Sequence, residues 1–277
     1  MKNLLKHDFY RIFHSKLALI SLIIVAAFAL ALPAIFFGLE ALVNIGIDEI
    51  TTDADVTLFG AQFMFGLSYS LSTNVGIIVP IFGSIFVISD IRQGSTRNKL
   101  IRGYKKIEIF SSQSIVSMSY ILTIITTYTV LTFLFSSLFF GFPDLGNVDI
   151  LASLGQILLM GTVEFIFVSS LVVFGAYVTK NIALTILIIY GFALLMTLLA
   201  TLVSGLPFLE KYQILMDLIP TYGSSVLSGL GAVSGTDTDI QMTLPIVDCV
   251  VNIIATLGFS VLNGFLGFLV FNNRDVN

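Results

Sequence analysis

Residues 17–32 read LALISLIIVAAFALAL and contain no charged side chain. Together with residues 33–37, this run has the length of about 20 residues that an α-helix needs to cross a bilayer core of about 30 Å. It is too long for the apolar core of a typical signal peptide, and Pro33 follows it instead of a small-residue cleavage site. We therefore interpret it as the first transmembrane helix.

Apolar segments of similar length recur along the chain, at 64–89, 112–140, 152–178, 182–204 and 246–271. Backbone polar groups in lipid must bond within the segment, so continuous runs of this length predict helices and not strands. The composition agrees: 56% of the residues are hydrophobic and 11% are charged, against about 25% charged in soluble domains. The prediction is an all-α polytopic membrane protein with about six transmembrane helices, forming a single transmembrane domain over residues 1–277.

The positive charges predict the orientation of the helices. If the chain crosses six times, every Lys and Arg except Lys211 falls on the same side, and the opposite loops are acidic. Basic loops stay in the cytosol. We therefore predict that both termini are cytosolic, in a multi-pass protein of the inner (cytoplasmic) cell membrane.

Two segments outside the spans have helical patterns of their own. Residues 1–16 place Leu4, Leu5, Phe9, Ile12 and Phe13 on one face and basic side chains on the other. This predicts an amphipathic helix on the cytosolic membrane surface, acting either as an anchor or also as a contact for a partner. In the outer loop 205–245, apolar residues over 208–219 recur at helical spacing before Pro220. This predicts short outer helices between helices 5 and 6.

Several classes of chemistry are excluded by what the chain lacks. Its single cysteine, Cys249, allows no intramolecular disulfide, and its histidines, His7 and His14, both precede the first span. There is no Gly-x-x-x-x-Gly-Lys-[Ser/Thr] phosphate loop and no Gly-x-Ser-x-Gly nucleophile pattern. The 13 Lys and Arg residues do not favour nucleic-acid binding. We expect no enzyme activity, cofactor or metal in this chain.

The loop 90–106, DIRQGSTRNKLIRGYKK, is the most informative stretch outside the membrane. Its basic residues could serve only as orientation signals. Its pattern is more specific than charge, however, because Gly94-Ser95-Thr96 can start a short helix and Gly103 can end one with φ > 0. The result would be a short helix across the membrane axis, joined to two long helices, so that a force on it moves both.

This loop resembles the cytosolic loop of type 2 ABC exporter permeases. The resemblance rests on Asp90, Gly94-Ser95-Thr96-Arg97-Asn98, Leu100, Gly103, Tyr104-Lys105-Lys106 and Ile109, and the basic N-terminus and six spans extend it over the whole chain. One departure is Ile101-Arg102-Gly103, where the family commonly has Pro before the basic residue. The resemblance implies a coupling helix that contacts an ATPase through Gly94, Ser95, Thr96, Arg97, Asn98, Lys99, Leu100, Arg102 and Tyr104.

The same resemblance implies the partners. ATP and Mg would be bound by separate ATP-binding cassette subunits, and a second permease copy or a sister permease would complete the path. The expected function is export of a peptide, lipid-like or antimicrobial substrate. The alternatives are a secondary transporter or channel without an ATPase, and a non-transporting membrane scaffold or sensor.

Glu164 lies near the middle of the fourth predicted span. An ionisable group at that depth is costly, so it should face protein or water. It could belong to a substrate path, or it could be a hydrogen-bonded carboxyl that only packs helices together. Asn252 and Asn263, in the last span, are expected to bond between helices.

Overall fold

A computed structural model describes residues 2–48, 60–69, 74–142, 148–205, 214–220 and 245–273. Within these ranges the regular elements are all α-helices. They are α1 (Lys2–Phe13), α2 (Lys16–Asp48), α3 (Ala61–Tyr69), α4 (Asn74–Arg92), α5 (Ser95–Ile101), α6 (Lys106–Phe140), α7 (Val148–Thr179), α8 (Ile182–Gly205), α9 (Ile214–Asp217) and α10 (Ile246–Asn273).

The described helices confirm a polytopic membrane protein. Five of them, α2, α6, α7, α8 and α10, are long and apolar enough to cross a membrane. The count rises to six if α4 and α5, which meet at a bend of 48°, are taken as one span. The predicted span at 64–89 corresponds to α3 and α4, and residues 70–73 between these helices lie outside the described residues.

Helices α6 and α7 form the centre of the bundle. α2 packs along α6, α10 packs along α7, and α4 contacts α2, α6, α7 and α8. The close approach of α4 needs a small residue: a Cβ at Gly83 would lie 3.1 Å from Cδ1 of Ile121 and 3.3 Å from Cγ1 of Val172. α8 and one side each of α2 and α10 expose large apolar side chains, which suits contact with lipid and not with water.

The ends of α6 follow from its sequence. The Glu108 carboxylate accepts a hydrogen bond from the Lys105 backbone N–H at 3.1 Å, which satisfies a donor at the helix start. At the other end the chain leaves the helix at Gly141, whose φ of 85° favours glycine. α6 therefore runs across the whole bundle and connects its two ends.

Basic residues collect at one end of the bundle, which we call the basic end. There Arg92 Nη2 donates to the backbone O of Lys180 at 3.1 Å, and Lys106 Nζ donates to the backbone O of Asn272 at 2.7 Å. α1 and α5 lie at the same end. This agrees with the prediction that these segments share one side of the membrane.

The opposite end contains the described part of the outer loop. Of the helix predicted over 208–219, Ile214–Asp217 is helical, and the rest of the predicted outer helices lies outside the described residues. Asn252 Nδ2 donates to the backbone O of Asp217 and of Ile219, both at 2.9 Å, and so ties α9 to α10. Burial, together with the carboxylate of Asp248, raises the pKa of Asp217.

Candidate functional site

The helix α5 forms as its flanking glycines predict. It follows Gly94, whose φ of 69° and ψ of 13° are left-handed, and Gly103 after it has a φ of 88°. Gly103 N–H and Tyr104 N–H donate to the backbone O of Leu100 and of Lys99, at 2.9 and 3.3 Å, closing the helix end. The predicted short helix is confirmed at Ser95–Ile101.

Four charged side chains join α5 to its neighbours, and we call them the charge quartet: Asp8, Arg11, Asp90 and Lys99. Lys99 Nζ donates to Asp8 Oδ2 at 2.8 Å and lies 3.7 Å from Asp90 Oδ2. Arg11 Nη1 donates to Asp90 Oδ1. Asp8 and Asp90 are each only 2% exposed. The quartet therefore has two positive and two negative charges that neutralise each other inside the protein.

Hydroxyl groups complete the hydrogen bonding around the quartet. Ser95 Oγ donates to Asp90 Oδ1 at 2.5 Å, and Ser112 Oγ donates to Asp8 Oδ2 at 2.9 Å. Burial by itself would lower the pKa of Arg11, but the hydrogen bond and charge of Asp90 outweigh it, so the pKa is raised. Arg11 therefore stays charged, and its guanidinium carbon lies 6.0 Å from the ring centroid of Phe86.

The quartet and the hydroxyl of Ser112 link four helices at the basic end. Asp8 and Arg11 come from α1, Asp90 from the end of α4, Lys99 from α5, and the hydroxyl of Ser112 from α6. Buried charges are costly to separate from their partners. These contacts therefore tie α5 to α1 and α4, and α1 to α6.

The predicted contact residues divide between the sides of α5. Arg97 is exposed on the outward side, next to Ile101, which is 74% exposed. The side toward α1 borders a cavity of about 340 Å³, lined partly by Ser95, Asn98, Lys99, Arg102 and Tyr104. Thr96 is buried, and Gly94 and Leu100 are half-buried. The structure thus brings the predicted residues together on one short helix, but it does not place them on one surface.

α1 is the predicted N-terminal helix, and part of its apolar face is covered by protein. Leu4 and Ile12 are buried, and α1 packs against α2 and α6, so this stripe faces protein, whereas Phe13 of the predicted face is exposed. The reason is Asp8, which lies one turn after Leu4 and one turn before Ile12 on the same stripe. A carboxylate between two apolar residues needs a buried cation, which α5 provides in Lys99.

Sequence reasoning missed Asp8, Ser112 and Ile101. The spacing of Leu4, Asp8 and Ile12 was a usable signal for Asp8, because an acidic residue on an apolar stripe must find a partner. Ile101 is an apolar residue within a basic loop, which was a weaker signal. Nothing in the sequence pointed to Ser112.

Glu164 faces the interior, as predicted, and is 1% exposed. Its neighbours along α7 include Thr162 and Phe165. Ser68 Oγ donates to Thr129 Oγ1 at 3.2 Å, and the ring centroid of Tyr69 lies 6.4 Å from that of Phe165. Glu164 therefore lies at a level of the bundle where polar groups of α3, α6 and α7 meet.

Glu164→Gln is expected to change the free energy of unfolding by about 1.5 kcal/mol or less, because glutamine keeps the volume and the hydrogen-bonding capacity. Glu164→Lys is the matched test of charge, with an expected loss of about 3 kcal/mol from a buried, unpaired cation. Thermal unfolding of the purified variants in detergent measures both. Equal losses in the two variants would contradict a packing role and point to a requirement for the carboxylate itself.

Comparison with known protein families gives a match. The model of the family DUF2705, described as a protein of unknown function, matches residues 47–277. This range includes Asp90, α5 and Glu164, whereas Asp8 and Arg11 precede it. No curated protein and no solved structure matches the chain. Because the match covers most of its length, the chain belongs to the DUF2705 family.

Proposed function

We propose that this chain is the membrane-spanning permease subunit of an ATP-driven exporter, and that its ATPase is a separate chain. The observation that carries the proposal is the position of α5 and its attachment to the helices around it. It is a short helix between two long ones, bent 48° from α4, and the charge quartet holds it to α1. Such an element can receive a force at the basic end and pass it into the bundle.

The outward side of α5 suits contact with a protein. Ile101 exposes an apolar side chain one turn after the exposed basic residue Arg97. An exposed apolar side chain beside an arginine suits a protein interface, because arginine is enriched there. In this proposal the ATPase subunits bind ATP and Mg and press on Arg97 and Ile101. The quartet passes this movement to α1, α4 and α6.

The remaining parts of the proposal concern the path and the substrate. A second permease copy or a sister permease would pack against the bundle, whose α2 and α8 expose apolar surface. The proposed substrate is a peptide, a lipid-like compound or an antimicrobial compound that enters from the cytosol or the membrane. The proposed location is the cytoplasmic membrane, with the basic end in the cytosol.

The double substitution Arg97→Glu with Ile101→Asp tests the proposed contact. It is expected to lower the amount of ATPase chain that co-purifies with the tagged protein about tenfold or more, because it places two carboxylates at the centre of the interface. Both side chains are exposed, so the variant should keep its thermal stability. Quantitative mass spectrometry after mild-detergent purification from the native host measures the retention.

Lys180→Glu is the matched control. Lys180 is an exposed basic residue at the same end, in the turn between α7 and α8, so its charge reversal should leave ATPase retention unchanged. If no ATPase chain carrying a phosphate loop co-purifies with the intact wild-type protein, the proposed function is wrong. If the double variant retains as much ATPase as Lys180→Glu, α5 is not the contact.

The second candidate function is a proton-coupled secondary transporter or channel. The observation in its favour is the buried carboxyl of Glu164, since intramembrane ionisable groups commonly mark proton or substrate paths. Transport by the purified chain in vesicles without any ATPase, driven by a pH gradient and lost in Glu164→Gln, would establish this function instead. A scaffold or sensor would show neither ATPase binding nor transport.

A further inference from the structure

The cavity between α1 and α5 has a basic lining. Its volume is about 340 Å³, within the range of about 300–1,000 Å³ that is usual for small-molecule sites. Arg11, Lys99, Arg102 and His7 contribute to its wall, and no Asp or Glu does. The chemistry of this lining suits an anion.

The charge balance around the cavity leaves a positive excess. Asp8 and Asp90 neutralise Lys99 and Arg11, but both carboxylates are buried and outside the lining. Among the described residues, no carboxylate forms an ion pair with Arg102. The charge of Arg102 is therefore available to a ligand, and the neutral quartet behind it adds no repulsion.

The polar groups at the wall are suited to phosphate oxygens. Ser95 and Asn98 line the cavity one turn apart on the same side of α5, and Arg102 follows one turn later. A guanidinium presents paired N–H donors that match phosphate geometry. Hydroxyl and amide groups can donate further hydrogen bonds.

We propose that this cavity binds a phosphate group, either the headgroup of an anionic phospholipid or a soluble phosphate compound. Basic pockets beside transmembrane helices are suited to lipid headgroups. The proposal does not rest on the exporter function, because Ser95, Asn98, Lys99 and Arg102 face the cavity while Arg97 and Ile101 face outward. A ligand there would bridge α1 and α5, adding to the link that the quartet makes.

The experiment uses the full-length protein in detergent, with phosphatidylglycerol and inorganic phosphate as the two probes. Phosphatidylcholine and sodium chloride of equal ionic strength are the reference conditions. Native mass spectrometry counts bound lipid, and thermal unfolding measures stabilisation by either probe. Arg102→Gln is expected to weaken the binding of the phosphate probe about tenfold, because it removes one charge-assisted hydrogen bond. Arg97→Gln, which removes the same charge from the outward side of α5, should leave binding unchanged.

The outcomes separate the sources of the phosphate. Binding of phosphatidylglycerol but not inorganic phosphate, weakened by Arg102→Gln alone, supports a lipid headgroup. Stabilisation by inorganic phosphate with the same pattern of variants supports a soluble ligand. Equal effects of Arg102→Gln and Arg97→Gln would show unspecific attraction to surface charge and overturn the proposal, as would the absence of binding by both probes. Neither result depends on whether an ATPase co-purifies.

Discussion

Asp8→Ala is expected to lower the free energy of unfolding by about 3 kcal/mol, because it leaves the buried ammonium of Lys99 without its closest carboxylate. Lys99 Nζ lies 2.8 Å from Asp8 Oδ2, and Ser112 loses its acceptor in the same change. The loss of stability should lie at the low end of the range for a broken buried ion pair, since Asp90 Oδ2 remains 3.7 Å from Lys99 Nζ. Thermal unfolding in detergent and the amount of protein in the membrane measure it.

Two further variants make this result specific. Lys6→Ala removes an exposed charge from the same helix and should change the free energy of unfolding by less than about 0.5 kcal/mol. Asp8→Leu combined with Lys99→Met replaces the pair by apolar groups and should recover most of the stability, because no charge is left unpaired. If Asp8→Ala unfolds at the same temperature as Lys6→Ala, the quartet does not hold α1 in place.

Gly161→Ala is expected to destabilise the protein by about 3 kcal/mol, the upper part of the usual range for overpacking. A Cβ at this position would lie 2.7 Å from Cβ of Tyr69 and closer still to its ring. Tyr69 cannot move away freely, because it is 5% exposed and its ring packs against those of Phe65 and Phe165. The methyl group that alanine adds would therefore have to push α3 away from α7.

Gly155→Ala is the matched control on the same helix. No atom lies within 4 Å of a Cβ placed at Gly155, so alanine should be neutral or stabilise by up to about 1 kcal/mol through its better helix propensity. The difference between the two thermal unfolding midpoints is the quantity to measure. Similar midpoints would show that α3 is not packed closely against α7.

The quartet joins parts of the chain that the family match separates. Asp90 and Lys99 fall within residues 47–277, and Asp8 and Arg11 fall before them. The movement that we propose for α5 would therefore depend on a helix outside the matched range. The Asp8 variants consequently test the proposed mechanism as well as stability. Without the ion pair between Lys99 and Asp8, α5 could still bind an ATPase but would no longer move α1.

Much of this protein could be predicted from its sequence, because the signals are local. Long uncharged runs such as 17–32 predict helices of spanning length, since lipid leaves the backbone few alternatives. Gly94 and Gly103 bound α5, because each adopts a positive φ that other residues disfavour. The positions of Lys and Arg predict which ends of the helices lie together.

Only the tertiary structure decided which side of each short helix is covered. Helical spacing shows that Leu4, Asp8 and Ile12 share a stripe, but the partner Lys99 is 91 residues from Asp8 along the chain. For the same reason the sequence could not separate Arg97 and Ile101, which face outward, from Lys99 and Arg102, which border the cavity. Local pattern determines the period of a helix, whereas the burial of each face depends on the packing of helices that are distant in sequence.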